Sequence, residues 1–447
     1  MCGIVGVYSN EPVIRDLFYA LNTLQHRGQE SCGVAVSDDK DISCHKGMGL
    51  VQEVFREEKI QNMKGNIGIG HVRYSTAGGS YDYNTQPLIG FSKGKRIALA
   101  HNGNLINSQI LKTRLEEDGM MFQTTIDSEV ILYLISKYYN GDMLDAVKKT
   151  MGMIKGAYSL VVMLKDKLVA VRDPYGFRPL VMGRRGDDYI FASETGVIDV
   201  LGGEFIRDIE PGEIVIVKNN KLESHMYEEK APMSTCIFEH IYFARPDATI
   251  DGLNAYSFRV KTGEILAKES PVDADIVIPV PDSGWPGAIG FSSASGIPIM
   301  EGLVKNRYMG RTFIKPTQRE REIAVKLKLN PIAHVVKGKK VVLVDDSIVR
   351  GTTSKRLIES LRAAGASEVH MRITSPPVTH SCYFGIDTPR RKNLIAANST
   401  LKEICDNIGA DSLGFISINA LKEAAGPEFK FCKACFDGEY PLDPCVL

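Results

Sequence analysis

The segment Val341–Ser354 constrains the fold and chemistry of this chain more than any other part of it. It begins with four apolar residues that favour β-structure, continues with the carboxylates of Asp345 and Asp346, and ends in a loop around Gly351. Lys355–Ala364 then has apolar side chains at helical spacing, so the segment predicts a strand, a loop and a helix. Free N–H groups at the start of such a helix favour a phosphate.

The side chains of this loop suit a phosphorylated sugar. Gly351 allows close backbone approach, and several hydroxyl groups add hydrogen-bond donors. Asp345 and Asp346 would repel a phosphate, so they suit a sugar diol or a magnesium ion beside it. A phosphorylated ribose meets all these requirements, whereas an ordinary buried strand with an acidic end would explain the aspartates alone.

The whole stretch resembles the phosphoribosyl pyrophosphate loop of the type I phosphoribosyltransferases. The resemblance implies that the acidic pair holds the ribose hydroxyls and that the Gly-Thr-Thr segment binds the 5-phosphate. The implied phosphoribosyl pyrophosphate-binding residues are Asp345, Asp346, Ser347, Arg350, Gly351, Thr352, Thr353 and Ser354. The stretch is not a Walker loop, because no Gly-Lys-Ser/Thr follows it.

Length and composition are those of an ordinary globular protein. The chain has 447 residues, enough for two or three domains, and Lys+Arg and Asp+Glu are equal at 54 each. Zero net charge argues against general binding of nucleic acid or anionic membranes. No apolar run reaches the ~18 residues of a membrane span, and the start of the chain lacks the features of a signal peptide, so we expect a cytoplasmic protein.

Cys2 would become the first residue if Met1 were removed. Its thiolate would then be a nucleophile, and its own α-amine, with a reference pKa of about 7.7–8.0, would be a base poised near neutrality. A lone cysteine at this position would be unremarkable. Several motifs follow in a fixed order, however: Gln25–Ser31, His71–Gly78, Ala100–Asn104 and Thr125–Glu129.

This series resembles the class II glutamine amidotransferase domain, one of the N-terminal nucleophile hydrolases, over residues 2–235. The resemblance implies catalytic roles for Cys2 and for the oxyanion-hole residues Asn102 and Gly103. It also implies that the glutamine-binding residues are Arg27, Arg73 and Asp127. Arg73 can clamp the α-carboxylate and Asp127 can pair with the α-ammonium, whereas the role of Arg27 is less defined.

The chain is expected to fold as two units. Strand-like segments at 157–164, 168–171 and 213–217, with a helix at 128–139, suit the α+β four-layer αββα sandwich of N-terminal nucleophile hydrolases. From Cys236 onward strands alternate with helices, which suits an α/β type I phosphoribosyltransferase domain with a cysteine-containing tail at 236–447.

Two further segments lie in this second half. The apolar strand Asp275–Pro281 ends in a turn where Ser283 could offer a hydroxyl to a metal, and the resemblance places pyrophosphate and magnesium there. Magnesium is thus assigned to Ser283, Asp345 and Asp346. The charge-rich stretch Lys315–Asn330 is either a solvated segment or, as the resemblance implies, a mobile cover over the substrate.

The nine cysteines are too sparse for a secreted disulfide framework. The Cys-x-x-Cys pair at 432 and 435 permits zinc, an iron–sulfur cluster or a redox dithiol. One branch of the amidophosphoribosyltransferase family carries a structural 4Fe–4S cluster. The resemblance to that branch implies four cluster ligands: Cys236, Cys382, Cys432 and Cys435. The remaining thiols are expected to be incidental: Cys32, Cys44, Cys405 and Cys445.

Both halves together resemble the amidophosphoribosyltransferase family, in its iron–sulfur branch. This implies that glutamine and phosphoribosyl pyrophosphate yield 5-phosphoribosylamine, the first committed step of purine synthesis, with an internal ammonia channel. It also implies a homotetramer with feedback inhibition by purine nucleotides. Two alternatives stay open: a Cys2-type amidotransferase with another acceptor, and a non-catalytic regulator that senses phosphoribosyl pyrophosphate.

Overall fold

The computed structural model describes residues 1–75, 78–228, 231–306 and 329–444. The charge-rich stretch Lys315–Asn330 lies outside these ranges except for its last two positions, and Cys445 lies outside them as well. Within the described ranges, no helix combines the length and the apolar composition needed to cross a membrane.

The first half is built from antiparallel strands. In chain order they are β1 (Gly3–Tyr8), β2 (Ser31–Ser37), β3 (Ile42–Met48), β4 (Ile67–Arg73), β5 (Leu88–Ser92), β6 (Lys95–Leu105), β7 (Gly156–Leu164), β8 (Lys167–Arg172), β9 (Val181–Arg185), β10 (Asp188–Ala192), β11 (Glu204–Asp208), β12 (Glu213–Lys218) and β13 (Lys221–Met226). One sheet has the order β11-β9-β10-β1-β4-β2-β3, and the other has the order β13-β12-β8-β7-β6-β5.

Helices cover the outer faces of these two sheets. They are α1 (Ile14–Thr23), α2 (Val51–Val54), α3 (Glu57–Asn62), α4 (Ser108–Glu117), α5 (Ser128–Tyr138), α6 (Met143–Met151) and α7 (Gly196–Val200), with a 3-10 turn at Asp82–Asn84. Ile4 and Ile69 of one sheet pack against Val161 of the other in a shared core. Helix α1 packs on the outside of the first sheet and α5 on the outside of the second, which gives four layers.

The second half is built around a parallel sheet. The strands of the second half are β14 (Thr235–Cys236), β15 (Thr249–Ile250), β16 (Leu253–Asn254), β17 (Ile276–Pro279), β18 (Leu303–Lys305), β19 (Leu329–Pro331), β20 (Lys340–Asp345), β21 (Glu368–Ile373), β22 (Ser412–Phe415) and β23 (Phe431–Cys432). The parallel sheet has the order β17-β20-β21-β22, and β14 pairs in parallel with β23.

Helices lie on both faces of this parallel sheet. They are α8 (Ala255–Glu269), α9 (Gly284–Ser295), α10 (Ala333–Val336), α11 (Thr352–Ala363), α12 (Ile395–Asn398), α13 (Leu401–Ile408), α14 (Ile418–Ala425) and α15 (Ala434–Asp437), with a π-helix at Glu239–Phe243 and a 3-10 turn at Arg391–Asn393. Helices α8, α9 and α14 share one hydrophobic core with the sheet, and α11 and α13 share the other.

The predicted fold class is confirmed, as is the strand–loop–helix reading of the segment around Asp345. Helix α11 starts at Thr352, three residues earlier than the apolar spacing indicated. Gly351 causes this difference, because its φ of 75° lets the chain turn sharply into the helix. The strand predicted at Asp275–Pro281 is shorter, at Ile276–Pro279. The domain boundary at 235/236 stays a prediction.

Asp208, at the end of β11, should make the stability of the fold depend on pH. Burial and the neighbouring Asp251 carboxylate raise the pKa of Asp208 from 3.8 to about 6. The folded state therefore loses stability as the pH rises from about 4 to about 6, because it must then hold a buried charge. We expect Asp208→Asn, which keeps an acceptor for the Asp251 N–H (2.9 Å), to unfold at higher urea concentration than the parent protein near pH 8.

The free energy of unfolding of Asp208→Asn should exceed that of the parent protein by up to about 3 kcal/mol near pH 8, since one pKa unit corresponds to about 1.4 kcal/mol. This gain should shrink near pH 5, where the parent carboxyl of Asp208 is largely protonated in the folded state. Urea titrations of both proteins at the two pH values measure the difference. An equal gain at both pH values would show that charge is not the cause.

Candidate active sites

Cys2 lies immediately before β1 and is buried. Its N–H donates to Asn102 Oδ1 at 3.2 Å, and its Sγ lies 3.6 Å from the carbonyl oxygen of Tyr74. Asn102 Nδ2 is buried and has no hydrogen-bond acceptor in the described part of the chain. A buried, unused donor beside a thiol is the arrangement that stabilises an oxyanion formed at that thiol.

The residues expected to bind glutamine and the oxyanion lie on neighbouring elements. Arg73 ends β4, is buried, and donates to the carbonyl oxygens of Gly78 (3.3 Å) and Gly79 (3.2 Å). Asp127 precedes α5, and its Oδ2 accepts from the N–H of Leu105 at 2.8 Å. Leu105 lies on β6 with Asn102 and Gly103. The structure thus places Asn102 against Cys2, Arg73 at the end of the strand paired with β1, and Asp127 against Leu105 on the strand that carries Asn102.

Gly103 must be glycine for a steric reason. A Cβ atom at this position would lie 2.0 Å from the carbonyl oxygen of Ala157 on the paired strand β7. The second half of the chain also reaches this strand, since Asn104 Nδ2 donates to Tyr383 O at 2.9 Å. A Cβ at Gly385 would lie 3.1 Å from the carbonyl carbon of Gly103. The strand that contains the predicted oxyanion hole is therefore packed from both sides.

Arg27 is fully buried and holds the backbone of Cys2. Its Nε donates to Cys2 O at 2.9 Å, and its Nη1 donates to Glu194 Oε1 at 2.5 Å. Burial alone would raise the pKa of Glu194, but His26 and Arg27 lower that pKa to about 2. Glu239 accepts two further hydrogen bonds from Arg27. Sequence reasoning missed both glutamates, because they lie 167 and 212 positions away from Arg27 and neither lies in a motif.

The acidic pair lies at the carboxyl end of β20, and both side chains are buried. Asp346 accepts a hydrogen bond at 2.5 Å from Ser283 Oγ and another at 2.5 Å from Ser347 Oγ. Burial, and then the charge of Asp346, raise the pKa of Asp345 well above its usual value. Burial likewise raises the pKa of Asp346. Two adjacent buried carboxylates beside a serine hydroxyl favour a hard cation or a diol, so these oxygens fit magnesium.

The loop after this pair leads into the amino end of α11. Gly351 caps that helix, and a Cβ there would meet Ile395 Cδ1 at 2.9 Å. Arg350, Thr352 and Thr353 are exposed, whereas Ser354 is buried in the first helical turn. The exposed hydroxyls and the free N–H groups of this turn form a candidate phosphate site.

The four cysteines assigned to a cluster line a single cavity. Cys236 and Cys432 are register partners in the paired strands β14 and β23. The cavity is lined by Phe177, Arg178, Cys236, Phe238, Cys382, Phe384, Ile386, Thr388, Cys432, Ala434 and Cys435. Burial raises the pKa of Cys236 to about 11, and burial followed by the neighbouring thiols raises the pKa of Cys435 well above the ordinary thiol value. Thiols buried in this way keep their protons unless a metal binds the sulfur and displaces them.

In the described ranges, no three His, Cys, Asp or Glu side chains are grouped so that they could hold a single metal ion. This does not conflict with a 4Fe–4S cluster. Such a cluster binds each cysteine to a different iron, so its ligands surround the inorganic core instead of meeting at one point. Four cysteine thiols that line one cavity are a donor set that a 4Fe–4S cluster takes.

The fold and these sites define a class of two-centre enzymes, in which a glutamine amidotransferase sandwich is joined to a phosphoribosyltransferase-type α/β unit. A family model described as a glutamine amidotransferase domain matches residues 71–199. The amidophosphoribosyltransferase of Methanocaldococcus jannaschii is 50% identical, with 99% of this chain and 98% of the relative covered. The amidophosphoribosyltransferase of Bacillus subtilis is 46% identical, with 99% and 94% covered.

Solved structures agree with these sequence relatives. The glutamine phosphoribosylpyrophosphate amidotransferase of B. subtilis, complexed with ADP and GMP, superimposes with a TM-score of 0.94 at 44% identity, covering 100% of this chain and 98% of that one. A structure described as the allosteric regulatory enzyme of purine biosynthesis gives a TM-score of 0.95 at 45% identity, covering 100% and 97%. The chain belongs to the amidophosphoribosyltransferase family.

Proposed function

We propose that the chain catalyses glutamine-dependent synthesis of 5-phosphoribosylamine from phosphoribosyl pyrophosphate, the first committed step of purine biosynthesis. One combined observation carries the proposal. The chain holds the Cys2–Asn102 pair and the buried Asp345–Asp346 pair, and it aligns along nearly its whole length with amidophosphoribosyltransferases. That full-length alignment favours an enzyme whose ammonia acceptor is phosphoribosyl pyrophosphate over an amidotransferase with another acceptor and over a non-catalytic sensor.

The first half-reaction releases ammonia from glutamine. Arg73 binds the α-carboxylate of glutamine and Asp127 binds its α-ammonium group. Once Met1 has been removed, the α-amine of Cys2 takes the proton of its own thiol, and the resulting thiolate attacks the carboxamide carbon. Asn102 Nδ2 and the Gly103 N–H hold the oxyanion. The α-ammonium of Cys2 returns its proton to the leaving nitrogen, so collapse of the tetrahedral intermediate expels ammonia and leaves a glutamyl thioester. Water then hydrolyses this thioester to glutamate and the free thiol.

The second half-reaction transfers that ammonia to the ribose. The carboxylates of Asp345 and Asp346 orient the ribose hydroxyls, and the amino end of α11 binds the 5-phosphate. Ammonia reaches this site inside the protein and attacks C1 of the ribose, and pyrophosphate leaves. Ser283 and the two aspartates would hold magnesium, which when bound offsets the charge of the leaving pyrophosphate.

Regulation and assembly are inferred from the family. The B. subtilis relative was solved with ADP and GMP, so we infer that purine nucleotides bind this chain as feedback inhibitors. We also infer a homotetramer in the cytoplasm, without nucleic-acid or membrane partners. Sedimentation analysis with and without GMP would test the tetramer and the nucleotide effect together.

A nitrogen-transfer assay tests the proposed function directly. Glutamine labelled with ¹⁵N at the amide, phosphoribosyl pyrophosphate and magnesium are incubated with the chain, and labelled 5-phosphoribosylamine and glutamate are measured. We expect equal amounts of both products. Glutamate without the labelled amine would indicate another acceptor, and the absence of both products would indicate a non-catalytic sensor.

We further propose that Cys236, Cys382, Cys432 and Cys435 hold a 4Fe–4S cluster. Its role would be structural, because no step above transfers an electron. The geometry supports this role, since the cavity joins the segment before the π-helix, the loop around Cys382 and the chain's last described helix. A cluster in this cavity would tie these three segments together.

Protein purified without oxygen should be brown and contain about four irons per chain. Cys435→Ser should lose both the colour and the iron, because it removes one of the four thiolates. Cys405→Ser is the matched control, since it removes a partly exposed thiol of the same half that lies outside the cavity. Elemental analysis and visible absorption measure the outcome. Stoichiometric zinc, or full iron content in Cys435→Ser, would contradict the assignment.

A further inference from the structure

Glu239 is the first residue of the π-helix Glu239–Phe243, in the second half of the chain, and its side chain is fully buried. Its two carboxylate oxygens accept from Arg27 at 3.0 Å and 2.9 Å, in a bidentate pair. Arg178 Nη1 also lies 3.3 Å from Glu239 Oε1. A single carboxylate from the second half thus engages two buried guanidinium groups of the first half.

The bond from Arg27 to the nucleophile depends on this carboxylate. The Nε of Arg27 donates to the carbonyl oxygen of Cys2, and the opposite edge of the guanidinium lies against Glu239. A planar guanidinium that is fixed at several nitrogens cannot rotate without breaking one of these bonds. Glu239, together with Glu194, therefore fixes the guanidinium that holds the Cys2 backbone.

The buried side chains that contact Arg27 and Arg178 include two carboxylates. Arg27 and Arg178 supply two buried positive charges, and Glu194 and Glu239 supply two buried negative charges. Loss of the Glu239 carboxylate leaves Arg27 with Glu194 alone and leaves Arg178 without an ion-pair partner in the described ranges. Unpaired buried charge is strongly unfavourable. Arg27 would then move towards Glu194, and its bond to the Cys2 carbonyl would be displaced with it.

Arg259, in the phosphoribosyl half, fixes the backbone of the π-helix that begins with Glu239. Arg259 of α8 donates to His240 O at 2.6 Å and to Ala244 O at 2.7 Å, at the two ends of the π-helix. Helix α8 packs closely on α9, since a Cβ at Gly263 would lie 1.9 Å from Gly287 O. Helix α9 follows directly after Ser283, which binds Asp346. The glutamate that holds Arg27 is thus anchored to the helices beside the acidic pair.

We propose that Glu239 is a positioning residue for Cys2, supplied to the glutaminase site by the phosphoribosyltransferase half of the chain and acting through Arg27. The inference rests on the proposed glutaminase role of Cys2. It makes the site of the nucleophile incomplete without a residue that lies beyond the amidotransferase sandwich.

Glu239→Gln tests the proposal, because the amide has the shape of the carboxylate without its charge. We expect the glutaminase kcat to fall by about 10- to 100-fold, as a small misplacement of the nucleophile predicts. The KM for glutamine should stay within about threefold, since Arg73 and Asp127 are untouched. Covalent labelling of Cys2 by an electrophilic glutamine analogue should slow by the same factor as kcat, and synthesis from free ammonia should persist.

Asp251→Asn is the matched control. Asp251 forms a buried bidentate pair with Arg172 at 2.7 Å and 2.8 Å, and it contacts nothing at Cys2. The Asp251→Asn variant should lower the unfolding temperature about as much as Glu239→Gln does, and it should leave the glutaminase kcat unchanged. Should Glu239→Gln fail to fold, Glu239→Asp keeps the charge, and its shorter side chain should give a smaller loss with the same split between kcat and KM.

Two results would overturn the proposal. One is an unchanged glutaminase kcat in a folded Glu239 variant. The other is an equal loss of glutaminase and ammonia-dependent activity, which would show that Glu239 only supports the fold. A parent protein without glutaminase activity would instead overturn the proposed function of Cys2, so the two failures can be told apart.

Discussion

Cys2→Ala is expected to abolish glutamine-dependent synthesis of 5-phosphoribosylamine and to leave synthesis from free ammonia intact. The variant removes the proposed nucleophile, whereas the acidic pair and the α11 turn lie at the end of a strand of a separate sheet in the second half. The glutamine-dependent rate should fall by at least about 10³-fold, because the lost step is covalent. Parallel assays with glutamine and with ammonium salts at raised pH measure the difference.

Two controls sharpen this expectation. Cys32→Ala removes another buried thiol, in strand β2 of the first half, and should keep both activities. A chain in which Met1 is retained should behave like Cys2→Ala, because the nitrogen of Cys2 is then an amide and cannot act as a base. Loss of ammonia-dependent synthesis in folded Cys2→Ala protein would argue against two separate sites.

The double substitution Asp345→Asn, Asp346→Asn should reduce transfer with either nitrogen source by at least about 10²-fold in kcat/KM for phosphoribosyl pyrophosphate. In the proposed mechanism the ribose hydroxyls and the magnesium ion would lose their anionic partners, whereas the side chains would keep their shape. Glutamine hydrolysis without phosphoribosyl pyrophosphate should change little, since Cys2, Arg73 and Asn102 are untouched.

The unfolding temperature separates this effect from misfolding. Burial raises the pKa of both carboxyls, so neutral amides should be tolerated in the folded state and the temperature should not fall. Asp411→Asn is a control in the same half, because Asp411 pairs with Arg362 at 2.8 Å away from the acidic pair. Normal transfer by the double variant with ammonia would show that the loop assignment is wrong.

Local sequence patterns predicted much of the fold. The apolar run before Asp345 and the helical spacing after Lys355 are short-range signals, and both elements formed as expected. The first turn of α11 was missed, because Thr352 and Thr353 are exposed and add nothing to an apolar pattern. Left-handed backbone at Gly351 decided where that helix begins, and the glycine alone does not reveal it.

The candidate site was predictable where its residues lie within motifs. Cys2, Asn102, Arg73 and Asp127 each lie in such a segment, although their roles stay predictions until they are tested. Glu239 does not, because its importance comes from a contact with Arg27 across 212 positions of sequence. Single-sequence patterns report the helix and strand neighbours of a residue, and they say nothing of pairs that only the tertiary fold brings together.

The contact between Asn104 and Tyr383 has a consequence for how the protein is made. The strand with the predicted oxyanion hole leaves the ribosome 279 residues before the loop that packs on it. Glu239, which holds Arg27, also emerges long after Cys2. A nascent chain that has only its amidotransferase sandwich therefore lacks one of the two carboxylates that hold Arg27. Glutamine hydrolysis by such a nascent chain should therefore be slower than in the complete protein until the ribose-binding half has been synthesised.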